Sequence, residues 1–168
     1  YDVIIVNDGS TDDSLERAIE AYELVQVSYY INERLETQPI RGVYRSINKA
    51  YHNLMVIDKE NGGKSDALNA GLNASNKPYV VCLDVDSIIE HDALLKLSQP
   101  FLQSYKKRKL IAVGGVVHVA NSCKIEKGRL IQRRIPRKLF PRIQVIEYAR
   151  AFFIFCIISS DMNGLFFI

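Results

Sequence analysis

Short apolar runs that end in acidic or glycine-containing turns, each followed by helical spacing, recur along this chain. Asp2-Val3-Ile4-Ile5-Val6 has strand character and runs into Asn7-Asp8-Gly9-Ser10-Thr11-Asp12-Asp13. Gly9 permits a tight turn there. Ser10 or Thr11 is placed to cap the next helix, with Asp12 and Asp13 suited to its positive end. Leu15, Ala18, Ile19 and Tyr22 then recur at helical spacing and predict a helix over 14–24. The pattern fades over 28–53, where Pro39, Gly42, Arg34, Arg41, Arg45 and Lys49 predict a long basic loop. Leu54-Met55-Val56-Ile57 reads as a second strand, and 58–65 as a turn leading into a helix over 66–72. Tyr79-Val80-Val81-Cys82-Leu83 predicts a strand buried on both faces. It stops at Asp84-Val85-Asp86, whose carboxylates would share one side of an extended chain.

Beyond that point a helix is expected over 90–105, kinked or split at Pro100, and then a strand over 110–119 interrupted by Gly114 and Gly115. The stretch 124–142 is basic, with Pro136 and Pro141 expected to limit regular helix. From 143 to 158 the chain is amphipathic at first and then wholly apolar, too short a run to span a bilayer but able to lie in an interface. His91 and His118 have no partner at metal-ligand spacing and are read as structural.

Alternation of strands and helices predicts an α/β fold, a mostly parallel sheet with flanking helices. In such sheets ligands bind at the carboxyl ends of the strands, where both acidic turns fall. Asp84 and Asp86 are hard oxygen donors of the kind that hold Mg²⁺ or Mn²⁺. The carboxylates of the first turn repel bare phosphate, so a nucleotide there presents donors to Asp8, a base N–H or sugar hydroxyls. Gly63-Lys64-Ser65 resembles the end of a phosphate-binding loop, but that loop needs glycine where Asp58 stands. What survives is a glycine pair before a helix start, with Lys64 as a diphosphate contact.

The totals narrow the classes. The chain has 168 residues, 48% hydrophobic and 24% charged, enough for one domain with a real core. A net charge of +3 and sparse aromatic interleaving in the basic stretch speak against nucleic acid. Cys82, Cys123 and Cys156 are odd in number and scattered, as expected for core packing in a reducing compartment. The chain opens inside one apolar run and closes inside another, so it reads as a piece of a longer protein.

Four stretches occur in a fixed order: Val6-Asn7-Asp8-Gly9-Ser10-Thr11-Asp12, then Asn61-Gly62-Gly63-Lys64-Ser65-Asp66-Ala67-Leu68-Asn69-Ala70-Gly71, then Asp84-Val85-Asp86, then Gln144-Val145-Ile146-Glu147-Tyr148. The series resembles family 2 glycosyltransferases of the GT-A (Rossmann-like) fold, in particular membrane-bound synthases of cellulose, chitin, hyaluronan and poly-N-acetylglucosamine. That resemblance implies a single partial GT-A domain over 1–168, with 1–120 binding a nucleotide sugar and 121–168 forming the basic segment and amphipathic helix. It implies donor contacts from Asp8, Lys64, Asn69 and Asp84, and Mg²⁺ or Mn²⁺ held by Asp86 with Asp84. The donor is expected to be a UDP-sugar and the acceptor a growing glycan, with transfer by inversion. The full-length protein is expected in the membrane, this domain on the cytoplasmic face, and the piece itself soluble. The family's general base follows a segment beyond Ile168. Glu126, Glu147 and Asp161 occupy no matching motif, so none is assigned as base, and the piece is expected not to transfer sugar. A strand that precedes the first motif in the family is absent, and the edge it leaves is expected to favour self-association. Two other readings stand beside this one: a non-catalytic nucleotide-binding module, and a phosphatase of the haloacid dehalogenase type.

Overall fold

A computed structural model describes residues 1–102, 112–115, 119–120, 122–126, 129–132, 134–161 and 166–167. The chain divides into two compact units, Tyr1–Leu83 and Asp84–Ile168.

The first unit is a sheet with a helix on each face. Its order is β1 (Val3–Asp8), α1 (Ser14–Tyr22), β2 (Leu24–Gln26), β3 (Ile40–Ser46), β4 (Leu54–Lys59) and α2 (Lys64–Ala74), with one 3₁₀ turn at Lys49–Tyr51. In space the strands run β1-β4-β3-β2. β1 and β4 are parallel, while β3 lies antiparallel to β4 and β2 antiparallel to β3, so the sheet is mixed.

β4 is buried along its whole length, and its side chains serve both faces in alternation. Met55 and Ile57 pack with Val43, Ala74, Ile4 and Val6 on the side that α2 covers. Leu54 and Val56 pack with Leu24, Ile5 and the α1 stripe of Leu15, Ala18, Ile19 and Tyr22. The stripe predicted from the sequence is therefore the core-facing side of α1. α2 approaches closely because Ala70 and Gly71 are small; a Cβ on Gly71 would lie 3.6 Å from the Val6 methyl.

Several expectations are corrected here. The 28–53 stretch is not one long loop, since it contains β3; Arg41, taken as a loop cation, is a strand residue paired with buried Asp58. The first helix is capped neither by Ser10 nor by Thr11. Ser14 N and Oγ donate to Asp12 Oδ1, at 3.1 and 2.6 Å, so Asp12 satisfies the helix start. The run 79–83 is not a buried strand. It makes no ladder, and Tyr79, Val80, Val81 and Leu83 are about half exposed or more. Apolar content registers a tendency to be buried, but a strand also needs a hydrogen-bonding neighbour, and the sheet's order ends at β1. Cys82 is exposed and so does not serve the core.

In the second unit, α3 (Ala93–Leu102) runs through Pro100 as one helix, with Pro100 buried. Residues 103–105 of the expected helix lie outside the described residues. Of the strand expected over 110–119, only β5 (Val113–Gly114) is seen; residues 110–111 and 116–118, His118 among them, lie outside the described residues. The basic stretch contains a hairpin, β6 (Lys124–Glu126) with β7 (Arg129–Gln132). α4 (Leu139–Asp161) covers the predicted amphipathic segment, and Pro141 sits in its first turn, where a missing N–H costs nothing. β8 (Phe166–Phe167) pairs in parallel with β5. Among the described residues no helix is long and apolar enough to cross a membrane.

Candidate functional site

The parallel pair β1–β4 places two residues of each strand side by side at its carboxyl end: Asn7 opposite Asp58, and Asp8 opposite Lys59. Alternation sends these pairs to opposite faces. Asn7 and Asp58 fall on the α1 side, where Asn7 Nδ2 donates to Asp58 Oδ1 at 2.7 Å and Arg41 Nη2 to the same oxygen at 2.6 Å. Asp8 and Lys59 continue the rows Ile4-Val6 and Met55-Ile57 onto the α2 side.

Lys59 is fully buried. Its ammonium donates to Asp8 Oδ1 at 2.7 Å and to the Glu60 carbonyl at 2.6 Å, and is ion-paired with Asp66 Oδ1 in the first turn of α2. Buried Asp66 Oδ1 accepts no hydrogen bond among the described residues, so this ion pair alone compensates it. Asp66 Oδ2 in turn accepts Gln38 N at 2.9 Å.

Asp8 is held from three directions. Besides Lys59, its Oδ1 accepts Gly62 N at 3.0 Å and its Oδ2 accepts Gly63 N at 2.7 Å, while Asn61 Nδ2 donates to its backbone carbonyl. A carboxylate has about four acceptor positions, so one remains, on Oδ2. The side chain is 20% exposed.

Partial burial pushes the Asp8 carboxyl upward, but the hydrogen bonds from Lys59, Gly62 and Gly63 outweigh it and hold it below the usual carboxylate range. Burial likewise pulls Lys59 down, and its bonds to Asp66 and Asp8 outweigh that and raise it. A lowered acid stabilises the fold above its unfolded value and loses that contribution as pH falls through the folded value. A raised base contributes fully below its unfolded value and loses it as pH rises through the folded one. Stability is therefore expected to be level across neutral pH and to fall below about pH 4 and above about pH 10.5. Urea unfolding midpoints across that range check this, and a midpoint that declines between pH 6 and 8 would contradict it.

Of the residues singled out from sequence, Asp8 sits in this cluster. Lys64 is the first residue of α2, directly after Gly63, whose φ of 85° lies in the left-handed region. Asn69 lies further along α2 and donates to the Glu36 carbonyl at 3.4 Å. Residues 66, 69 and 73 share one face of α2, and all three hold the segment 34–38: Asn73 Oδ1 accepts Arg34 N and Leu35 N, and its Nδ2 donates to the Leu35 carbonyl. Asp84 and Asp86 open the second unit, where Ser87 N closes a tight turn onto the Asp84 carbonyl at 3.0 Å. Both are exposed. With no strand there, the alternation argument for their common direction does not apply.

No group of three metal-ligating side chains occurs among the described residues. Asp84 opens the turn that Ser87 closes, and Asp86 lies within it; one or two carboxylates are a fitting donor set for Mg²⁺ or Mn²⁺ only where substrate phosphates complete the shell. Sequence reading missed Lys59 because it took 58–65 for a turn. The signal was present, since counting by two from Met55 and Ile57 brings Lys59 onto the face that carries Asp8.

A parallel strand pair with a carboxylate at its carboxyl end, and a glycine turn leading into a helix, makes an α/β unit of the kind whose ligands bind at the carboxyl ends of the strands. The chain belongs to glycosyl transferase family 2, which matches residues 1–159, and its architecture is an incomplete GT-A fold. Poly-beta-1,6-N-acetyl-D-glucosamine synthase of Staphylococcus epidermidis is 30% identical over 149 residues, which cover 88% of this chain and 26% of that protein. The synthase of the same name from Staphylococcus aureus strain COL is 29% identical over the same shares. The chain thus spans about a quarter of the length of these relatives. No solved structure matches it significantly.

Proposed function

We propose that this chain binds the nucleotide-sugar donor, of the uridine diphosphate type, for an inverting glycosyl transfer onto a growing glycan. The observation that carries this is Asp8, a carboxylate held at the carboxyl end of the parallel pair with one open acceptor. Uracil offers a single ring N–H to such an acceptor, whereas a bare phosphate is repelled by it. Family membership and the names of the relatives, which are polysaccharide synthases, support the transfer itself.

The other residues take roles that follow from position. Lys64, at the start of α2, lies where a helix N-terminus and a cation favour a diphosphate. Asn69 is the further donor contact expected from the motif. Asp84 and Asp86 would hold Mg²⁺ or Mn²⁺, and the ion, when bound, would supply neutralisation of charge on the departing nucleoside diphosphate. Residues 1–120 are read as the donor-binding part, and 121–168 as the basic segment and helix. In a full-length protein integral to the cell membrane, this domain would lie on the cytoplasmic side.

Calorimetric titration of uridine diphosphate with and without Mn²⁺ tests this reading. Binding is expected to strengthen with Mn²⁺, and that gain to fall at least ~10-fold in Asp84→Ala and in Asp86→Ala, the loss of one charge-assisted contact. Binding that is absent, or unchanged in both variants, would refute the metal-assisted reading.

A further inference from the structure

We infer that Lys59 is a positioning residue for nucleotide recognition: its buried ammonium, clamped between Asp8 and Asp66, sets the direction in which Asp8 offers its open acceptor to the base. The inference rests on the reading of Asp8 as the base contact.

Three observations carry it. Lys59 is fully buried, so its ammonium is not available to a ligand and acts only through the groups it touches. It takes Asp8 Oδ1 at 2.7 Å while Gly62 N takes the same atom, so that oxygen is saturated and the free acceptor is confined to Oδ2. Its other carboxylate, Asp66, belongs to α2 and also receives Gln38 N. One ammonium thereby joins the end of β1, the end of β4, the start of α2 and the segment 34–38. Preorganised acceptors bind more tightly because the ligand does not have to order them. Without the ammonium, Asp8 keeps the Gly62 and Gly63 amides, but Oδ1 regains an open acceptor position and the free acceptor is no longer confined to Oδ2.

The double substitution Lys59→Met/Asp66→Asn removes the cation together with one anion and so avoids leaving two carboxylates face to face. Uridine diphosphate is titrated with Mn²⁺ into the chain, this variant and Asp8→Asn, between pH 4.5 and 8, with folding confirmed by circular dichroism. The groups facing Asp8 are Lys59 from β4, Asp66 from α2 and the amides of Gly62 and Gly63. Expected is a loss of at least ~10-fold in affinity for the folded double variant, with the acid limb of binding moved to higher pH. A structural role alone would not move that limb. Affinity and pH profile equal to those of the unaltered chain, while Asp8→Asn weakens binding, would overturn the role of Lys59 and leave the base contact standing. Binding unaffected by Asp8→Asn would overturn both. A second measurement needs no variant: in the unaltered chain carrying ¹⁵N-lysine, the protected Lys59 Nζ resonance is expected to shift on saturation with uridine diphosphate. Absence of a shift would count against the inference.

Discussion

Replacing Lys59 by Met is expected to destabilise the chain by about 3–5 kcal/mol, the cost of leaving a buried charge without its partner. The ammonium is fully buried, and the carboxylates it separates are only 20% and 17% exposed. With the cation gone, Asp8 and Asp66 confront each other across a space that water reaches poorly, and one of them must take up a proton or turn away. Total stabilities of single domains are roughly 5–15 kcal/mol, so the loss is a large share of what holds the fold. Urea denaturation reads it directly. Adding Asp66→Asn should recover part of the loss, because the repulsion disappears with the second charge. A loss below about 1 kcal/mol, the size of a solvent-exposed pair, would show that water screens the cluster.

Gly9→Ala is the second large effect, expected to cost about 2–4 kcal/mol from two sources that add. Gly9 has φ of 69°, in the region that side chains with a Cβ rarely adopt. A Cβ there would also lie 2.8 Å from the Asn61 backbone nitrogen and 3.2 Å from its Cα, and backbone cannot swing aside as a long side chain can. Relief requires the segment 60–63 to withdraw, which takes the Gly62 and Gly63 amides off Asp8. The substitution therefore acts on binding as well as stability. Uridine diphosphate affinity should fall together with the urea midpoint, and a variant as stable as the unaltered chain would contradict the close approach.

Both substitutions act at one place, where the ends of β1 and β4 meet the turn before α2. Asp8 was legible there without any structure, since an apolar run stopping in Asn-Asp-Gly is a strand feeding a turn, and its carboxylates limit what can bind. Lys59 was legible only as a position on the same face by counting along its strand, and Asp66 was not legible at all. A lysine after an apolar run is most often solvated, and nothing local tells that the parallel register sets it opposite Asp8. Asn73 was missed for the same reason, because its partners at 34 and 35 are far along the chain.

Local sequence determined the elements whose signal is local. The α1 stripe, the β4 core run, the glycine turn before α2 and the order of the four motifs all follow from neighbouring residues and their spacing. Tertiary structure alone decided which of those residues meet. It made β3 a strand by pairing it with β4, buried Lys59 between two acids, and left 79–83 without a ladder despite its apolar composition. The physical reason is that periodicity records which side of an element avoids water, whereas a hydrogen-bonded neighbour or a buried ion pair is supplied by chain distant in sequence.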